Sequence, residues 1–96
     1  MTQARPRATP TVQIQNDWMI VTEWRFPPHS ETGWHVHQYD YVVVPLVTGQ
    51  LLLETPDGEG TAELVTGQSY TRNAGVEHNV INNNDYEFVF IEVERK

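Results

Sequence analysis

Short apolar runs, each about one strand long and each closed by a turn signal, fill the chain from Thr11 to Val93. Thr11–Gln15 alternates, and Trp18–Phe26 is rich in Trp, Ile, Val and Thr. Tyr41–Val47 and Leu51–Thr55 are compact apolar runs, and Tyr86–Val93 alternates aromatic with aliphatic residues. Between them stand Asn16-Asp17, Pro27-Pro28, Thr48-Gly49, Pro56-Asp57-Gly58, Thr66-Gly67, Ala74-Gly75 and Asn82–Asp85. Period-two patterning with β-branched and aromatic residues predicts strands, and many short strands so spaced predict an all-β sandwich or small barrel. No helical period reaches two capped turns. Met1–Pro10 holds two prolines, two arginines and no apolar period. It predicts a flexible N-terminal arm, residues 1–10, ahead of one domain over residues 11–96.

Parity along the last apolar run has a consequence for assembly. Tyr86, Phe88 and Phe90 fall on one face, Val89, Ile91 and Val93 on the other, and Trp18–Trp24 and Leu51–Leu53 are also apolar on both. A small barrel buries one face of each strand, so the other calls for a second sheet or a partner chain, and a homodimer is expected. At 96 residues the chain supports one domain with one modest core.

Charge narrows the partners. Thirteen acids against six bases give a net charge of −7, and Arg5 and Arg7 leave only four bases beyond residue 7. Such a body repels phosphate backbones and anionic lipid, which argues against nucleic acid and membrane partners. Nothing like a secretion signal opens the chain, and the longest apolar run is far below the ~20 residues of a spanning helix. A cytoplasmic location is expected. The absence of cysteine removes disulfides, thiolate ligands and a cysteine nucleophile, so a metal site here must use histidine, carboxylate or tyrosine.

Three of the four histidines carry that chemistry. His35 and His37 are two residues apart, which puts both on one face of a strand, with Trp34 and Val36 on the other. His78 follows about forty residues later, where it could face the pair across a barrel. Two donors from one strand and one from another make three corners of a metal site with the remaining positions open to water or substrate.

These residues stand in an order that resembles the cupin superfamily over nearly all of Thr11–Val93. The first cupin motif is matched by Gly33-Trp34-His35-Val36-His37 and Gly49, and the second by Gly67, Asn73, Gly75, His78 and Asn82 in register, with Asn73 where proline is usual. The resemblance implies a double-stranded β-helix, or jelly-roll, barrel holding a divalent metal ion on His35, His37 and His78. Iron, manganese, nickel and zinc all suit imidazole ligands. Glycines at 49, 67 and 75 suit positive φ or close backbone approach. Asn82 reads chiefly as a structural residue whose amide satisfies backbone groups in a polar turn.

The chain departs from the family pattern at two places. His29 stands where the first motif has glycine, and the family's glutamate ligand is missing: three residues past His37 comes Tyr41, and six before Gly49 comes Val42. A three-histidine site is the leading expectation. Tyr41 is the second candidate as an inward neighbour, and Asp40 the third, facing the wrong way unless a bulge turns it. His29 is expected on a loop, with acid–base duty at the site mouth as its alternative. Tyr41 and His29 are therefore the catalytic candidates. Arg25 and Arg72 are candidates for a substrate carboxylate, set against a plain role as partners of surface acids. The three tryptophans read as core or interface packing.

The resemblance implies a metal-dependent enzyme, dioxygenase-like or an isomerase or decarboxylase, on a small carboxylate or carbonyl compound. The alternative is a binding module that holds metal and ligand as an accessory or sensor without turnover. The segment Thr32–Leu46 further resembles small stand-alone bacterial cupins of β-alanine catabolism.

Overall fold

A computed structural model describes residues 4–96. Nine strands follow in order: β1 (Thr9–Gln15), β2 (Met19–Phe26), β3 (His35–Val36), β4 (Asp40–Pro45), β5 (Gly49–Thr55), β6 (Gly58–Leu64), β7 (Tyr70–Arg72), β8 (Glu77–Ile81) and β9 (Phe88–Arg95). They form a five-stranded sheet, β1-β2-β9-β4-β7, and a four-stranded sheet, β3-β8-β5-β6. Every strand pairing is antiparallel, and the described residues hold no helix. This is the all-β architecture the patterning predicts, in the jelly-roll form the resemblance implies.

The core fills the space between the sheets. Phe26, Tyr41, Val43, Phe88 and Phe90 project from the larger sheet against Leu51, Leu64 and Val80 from the smaller, and all are buried. Their spacing is the period-two parity of the sequence made physical. The Phe26 and Phe90 rings lie tilted at 5.4 Å between centroids, and each buried phenylalanine is worth roughly 1.5–3 kcal/mol of transfer free energy.

Several boundaries differ from the pattern reading. The first strand starts at Thr9, and the residues before it are tied to the body. Arg7 bridges to Glu31, the Ala8 N–H donates to the Glu31 carbonyl at 2.9 Å, and Ala8 is buried in the core. Residues 7–10, expected in a flexible arm, are therefore laid against the sheet, while residues 1–3 of that arm lie outside the described residues. Tyr86, expected on the last strand on one face with Phe88 and Phe90, precedes β9. It is half-exposed and its hydroxyl donates to the Thr48 carbonyl at 3.1 Å. β6 escapes the pattern because GEGTAEL has no apolar alternation, as suits an edge strand that is mostly exposed.

The turns explain the motif glycines and asparagine. Gly67 and Gly75 have φ of 80° and 94°, where a side chain is strained. Gly49 is needed for a different reason: a Cβ there would press on the Phe88 ring at 3.1 Å and on the Tyr86 hydroxyl. His29, standing where the family has glycine, is the one non-glycine described residue in the left-handed region, with φ of 64°. Asn82 is fully buried. Its Nδ2 donates to the carbonyls of Phe26, Pro27 and Tyr86 at 3.1, 3.2 and 2.8 Å, and its Oδ1 accepts from Asn84. Two amide hydrogens are thus spread over three carbonyls at this corner, with the Ser30 N–H also reaching the Pro27 carbonyl at 3.2 Å.

The outer face of the larger sheet carries a row of aliphatic residues. Ile14 pairs with Val21, Val21 with Val93, and Val93 with Val42, across four neighbouring strands. Ile14 and Val42 remain exposed in a single chain, as does Val12 on β1.

Candidate metal centre

The smaller sheet brings the three histidines together. His35 on β3 is the direct cross-strand partner of His78 on β8. His78 therefore sits beside the pair within one sheet and does not face it from across the barrel. His37 lies just beyond β3, held by its N–H to the Val76 carbonyl at 2.9 Å and by the Gly75 N–H to its own carbonyl at 2.8 Å. Trp34 and Val36 point outward and are about half exposed, as parity requires.

The rings converge through Nε2. His37 Nε2 lies 3.1 Å from His35 Nε2 and 3.1 Å from His78 Nε2. His35 Nδ1 lies 2.8 Å from the Gly33 carbonyl, which only accepts, so Nδ1 carries the proton and Nε2 presents a lone pair. Gly33 is fixed in turn, because its N–H donates to Asn79 Oδ1 at 2.9 Å, while Asn79 Nδ2 donates to Glu31 and Glu54 at 2.8 Å. Tyr41 stacks on His37 at 3.8 Å between centroids and 17° between planes. Burial first, then the charge of the neighbouring imidazoles, pushes His37 down to about 4, and burial and His35 do the same to His78. Both rings are thus neutral donors at physiological pH.

This donor set fits a divalent cation. Nitrogen donors at ~2.1 Å from one first-row ion stand roughly 3.0–3.4 Å apart when adjacent, the spacing seen here. Lone pairs brought this close repel unless a proton or cation lies among them.

Other predicted residues separate cleanly. Asp40 is not with the triad. Register from Asp40 to Pro45 runs without a bulge, and Asp40 Oδ1 instead accepts the Ala74 N–H at 2.8 Å. His29 lies outside the cavity lining, exposed, with Nε2 3.0 Å from Asp85 Oδ1. Tyr41 is buried and points inward, and burial followed by Glu92 pushes its hydroxyl well above the usual tyrosine range, so it stays protonated.

A cavity of about 210 Å³ opens beside the triad, between the two sheets. Two acids the pattern reading did not single out stand beside His37, and one of them shares the cavity lining with Glu77. Glu92 lines the cavity, and Glu92 and Glu94 each bring a carboxylate oxygen within 4.8 Å of a His37 ring nitrogen. Neither shares that spacing with all three histidines, whereas the donors of one ion at ~2.1 Å lie within roughly 4.2 Å of each other. They flank the triad and do not belong to it. Burial, then the neighbouring Glu94 charge, raises Glu92 to about 7, with the Trp24 N–H opposing. The signal for both was in the alternation: if Phe88 and Phe90 point inward, so do residues 92 and 94.

The family model of the cupin domain, Cupin_2, matches residues 22–94. The chain belongs to that family. It is 63% identical over 92 residues to the β-alanine degradation protein BauB of Pseudomonas aeruginosa, covering 96% of this chain and 97% of that one. Among solved structures, a cupin domain from Bordetella pertussis superposes with a TM-score of 0.97 at 64% identity, over 99% of both chains. The polyketide cyclase RemF from Streptomyces resistomycificus shares the fold, with a TM-score of 0.73 at 23% identity over 95% of this chain and 68% of that one. Among the described residues, no helix is long and apolar enough to cross a membrane.

Proposed function

We propose that this chain is a metal-dependent cupin enzyme that acts on a small carboxylate or carbonyl compound in β-alanine degradation. The observation that carries the reading is the convergence of His35, His37 and His78 through Nε2 at 3.1 Å. The near-complete match to BauB supports the catabolic setting. His35, His37 and His78 would hold one divalent ion, which as a Lewis acid polarises a carbonyl or carboxylate and acidifies water.

The chain's own residues supply the rest. The Gly33 carbonyl holds His35 in the tautomer that presents Nε2, as outer groups of metal sites do. Tyr41 fixes the plane of His37 and keeps water from that face. Glu92, with a pKa near 7, is the group in the cavity suited to accept and return a proton at neutral pH. The proposed setting is cytoplasmic, with a small-molecule ligand and no nucleic acid or membrane partner. Iron, manganese, nickel and zinc all remain compatible with three imidazoles.

A second reading, a binding module without turnover, draws on the separation of Glu92 and Glu94 from the triad. Elemental analysis of untagged protein after reconstitution tests the site. About one divalent ion per chain is expected, lost in His35→Ala and His78→Ala; negligible metal at neutral pH refutes the site. Turnover of β-alanine or a compound derived from it by the loaded wild type, abolished in both variants, separates enzyme from binding module.

A further inference from the structure

We infer that Arg72 anchors the carboxylate of the ligand, at the end of the cavity away from Glu92 and Glu94. The inference rests on the proposed histidine metal site only for what meets the ligand's other end.

The chain has six basic residues, and their surroundings differ sharply. Arg25 donates to Glu87 at 2.6 Å and to Glu23 at 3.3 Å, Arg5 pairs with Glu31, and Arg7 donates to the Thr32 carbonyl. Arg25 is thus committed to surface acids. Arg72 is the basic residue that lines the cavity holding the triad, and among the described residues it has no carboxylate within 4.0 Å. Of the two acids on the lining, Glu77 accepts the Trp34 Nε1–H at 2.8 Å and Glu92 stands on the far side of β4, so in a body of net charge −7 the Arg72 guanidinium is available to an anion.

Its guanidinium is held without being used up. It lies 4.8 Å over the Tyr70 ring, and Nη1 donates to the Thr71 carbonyl at 2.7 Å. These two contacts orient the plane and occupy one of five N–H donors, leaving an edge for a bidentate carboxylate.

Strand register sets the polarity of the cavity. Arg72 on β7 pairs with Tyr41 on β4, and Tyr41 pairs with Glu94 on β9, with Glu92 two residues before it. The cation and the acids therefore stand on opposite sides of β4, about 10 Å apart at the backbone, since strands are ~4.8 Å apart. An incoming carboxylate is repelled by Glu92 and Glu94 and drawn to Arg72. Val43, Leu51 and Leu53 line the same cavity, so a short carbon chain suits it. The ligand class is a short carboxylic acid whose second group, a hydroxyl, amine or carbonyl, is directed towards the histidines.

The test uses the full chain loaded with Co²⁺, whose visible absorption reports coordination. It is titrated with β-alanine, with 3-hydroxypropionate and with 3-hydroxypropionamide. At least one carboxylate should bind saturably, and the amide at least tenfold more weakly than its acid. Arg72→Gln should weaken the bound carboxylate at least tenfold, Arg72→Lys should fall between, and Arg25→Gln should match wild type. Cobalt affinity should be the same in every variant. The inference is overturned if Arg72→Gln stays within twofold of wild type, if the amide binds as tightly as the acid, or if neither carboxylate saturates the loaded protein. Failure of the wild type to take up cobalt refutes the metal site instead. In that case calorimetric titration of metal-free wild type and Arg72→Gln decides the anchor by the same tenfold criterion.

Discussion

Replacing Glu92 by glutamine separates the stability of this fold from the demands of its cavity. Glu92 is only 8% exposed, and it faces the triad from β9 with no ion-pair partner among the described residues. Burial, then Glu94, raises its pKa from 4.5 to about 7. A folded-state pKa above the unfolded one means that the folded chain binds the extra proton between those values. Stability contributed by that proton is complete below pH 4.5 and is lost as pH rises through about 7. At about 1.4 kcal/mol per pH unit the full penalty above pH 7 is on the order of 3 kcal/mol. Glutamine keeps the shape and removes the titration, so its own packing and hydrogen-bonding terms cancel when two pH values are compared. Relative to wild type, Glu92→Gln should therefore gain about 2 kcal/mol between pH 5 and pH 8 in urea unfolding of chelator-treated protein. A difference between the two chains that is the same at both pH values, within about 0.5 kcal/mol, refutes the reasoning.

Two further predictions probe the corner and the outer face. Asn82→Ala removes two N–H donors shared among three carbonyls from a fully buried corner, at about 1 kcal/mol per N–H. The melting temperature should fall by roughly 8–16 °C in thermal circular dichroism, and a fall below about 3 °C would show that water replaces the amide. The outer row Ile14–Val21–Val93–Val42 is where a second copy is proposed to sit, because its aliphatic surface crosses four strands and stays open in one chain. Sedimentation should give twice the chain mass at micromolar concentration, reduced to the monomer mass in Val42→Lys. A monomeric wild type, or a dimer that survives Val42→Lys, rejects that face.

The parts of this molecule legible in the sequence are those where one residue has one physical option. His35 and His37 share a face because strand parity allows nothing else, and Asn82 was readable because a buried polar turn needs an amide. Gly67 and Gly75 follow from backbone conformation in the same way. What escaped was set by pairing, which single-chain patterning does not contain. Parity says that His78 points inward, but only the β3–β8 register puts it beside His35 and not across the barrel. β6 carries too few apolar residues to register as a strand; its hydrogen bonds to β5 hold it there. Ala8 and Arg7 looked like tail because their partner, Glu31, is distant in sequence. Glu92 and Glu94 were hidden by expectation: alternation places them inward, but a glutamate is ordinarily assigned to solvent.

Those two acids also bear on the missing glutamate ligand. Counting from His37 leads to position 41, and the structure confirms that this position faces inward and touches the site. The chain has Tyr41 there, stacked on His37, and a carboxylate returns one strand away as its cross-strand partner Glu94, with Glu92 opposite Val43. Acids on the flank of the triad and not among its donors have two electrostatic consequences. Three uncharged nitrogen ligands would leave the full charge of the proposed divalent ion to act on a ligand, where a ligating carboxylate would cancel part of it. The two acids are held where burial works against their ionisation, and Arg72 stands on the far side of Tyr41 without an acid within 4.0 Å among the described residues. Tyr41 thus stands in register between the unpaired arginine and the flanking acids. A Tyr41→Glu variant should bring Arg72 a partner across the β4–β7 register, and so weaken carboxylate binding even if the new acid strengthens the hold on metal.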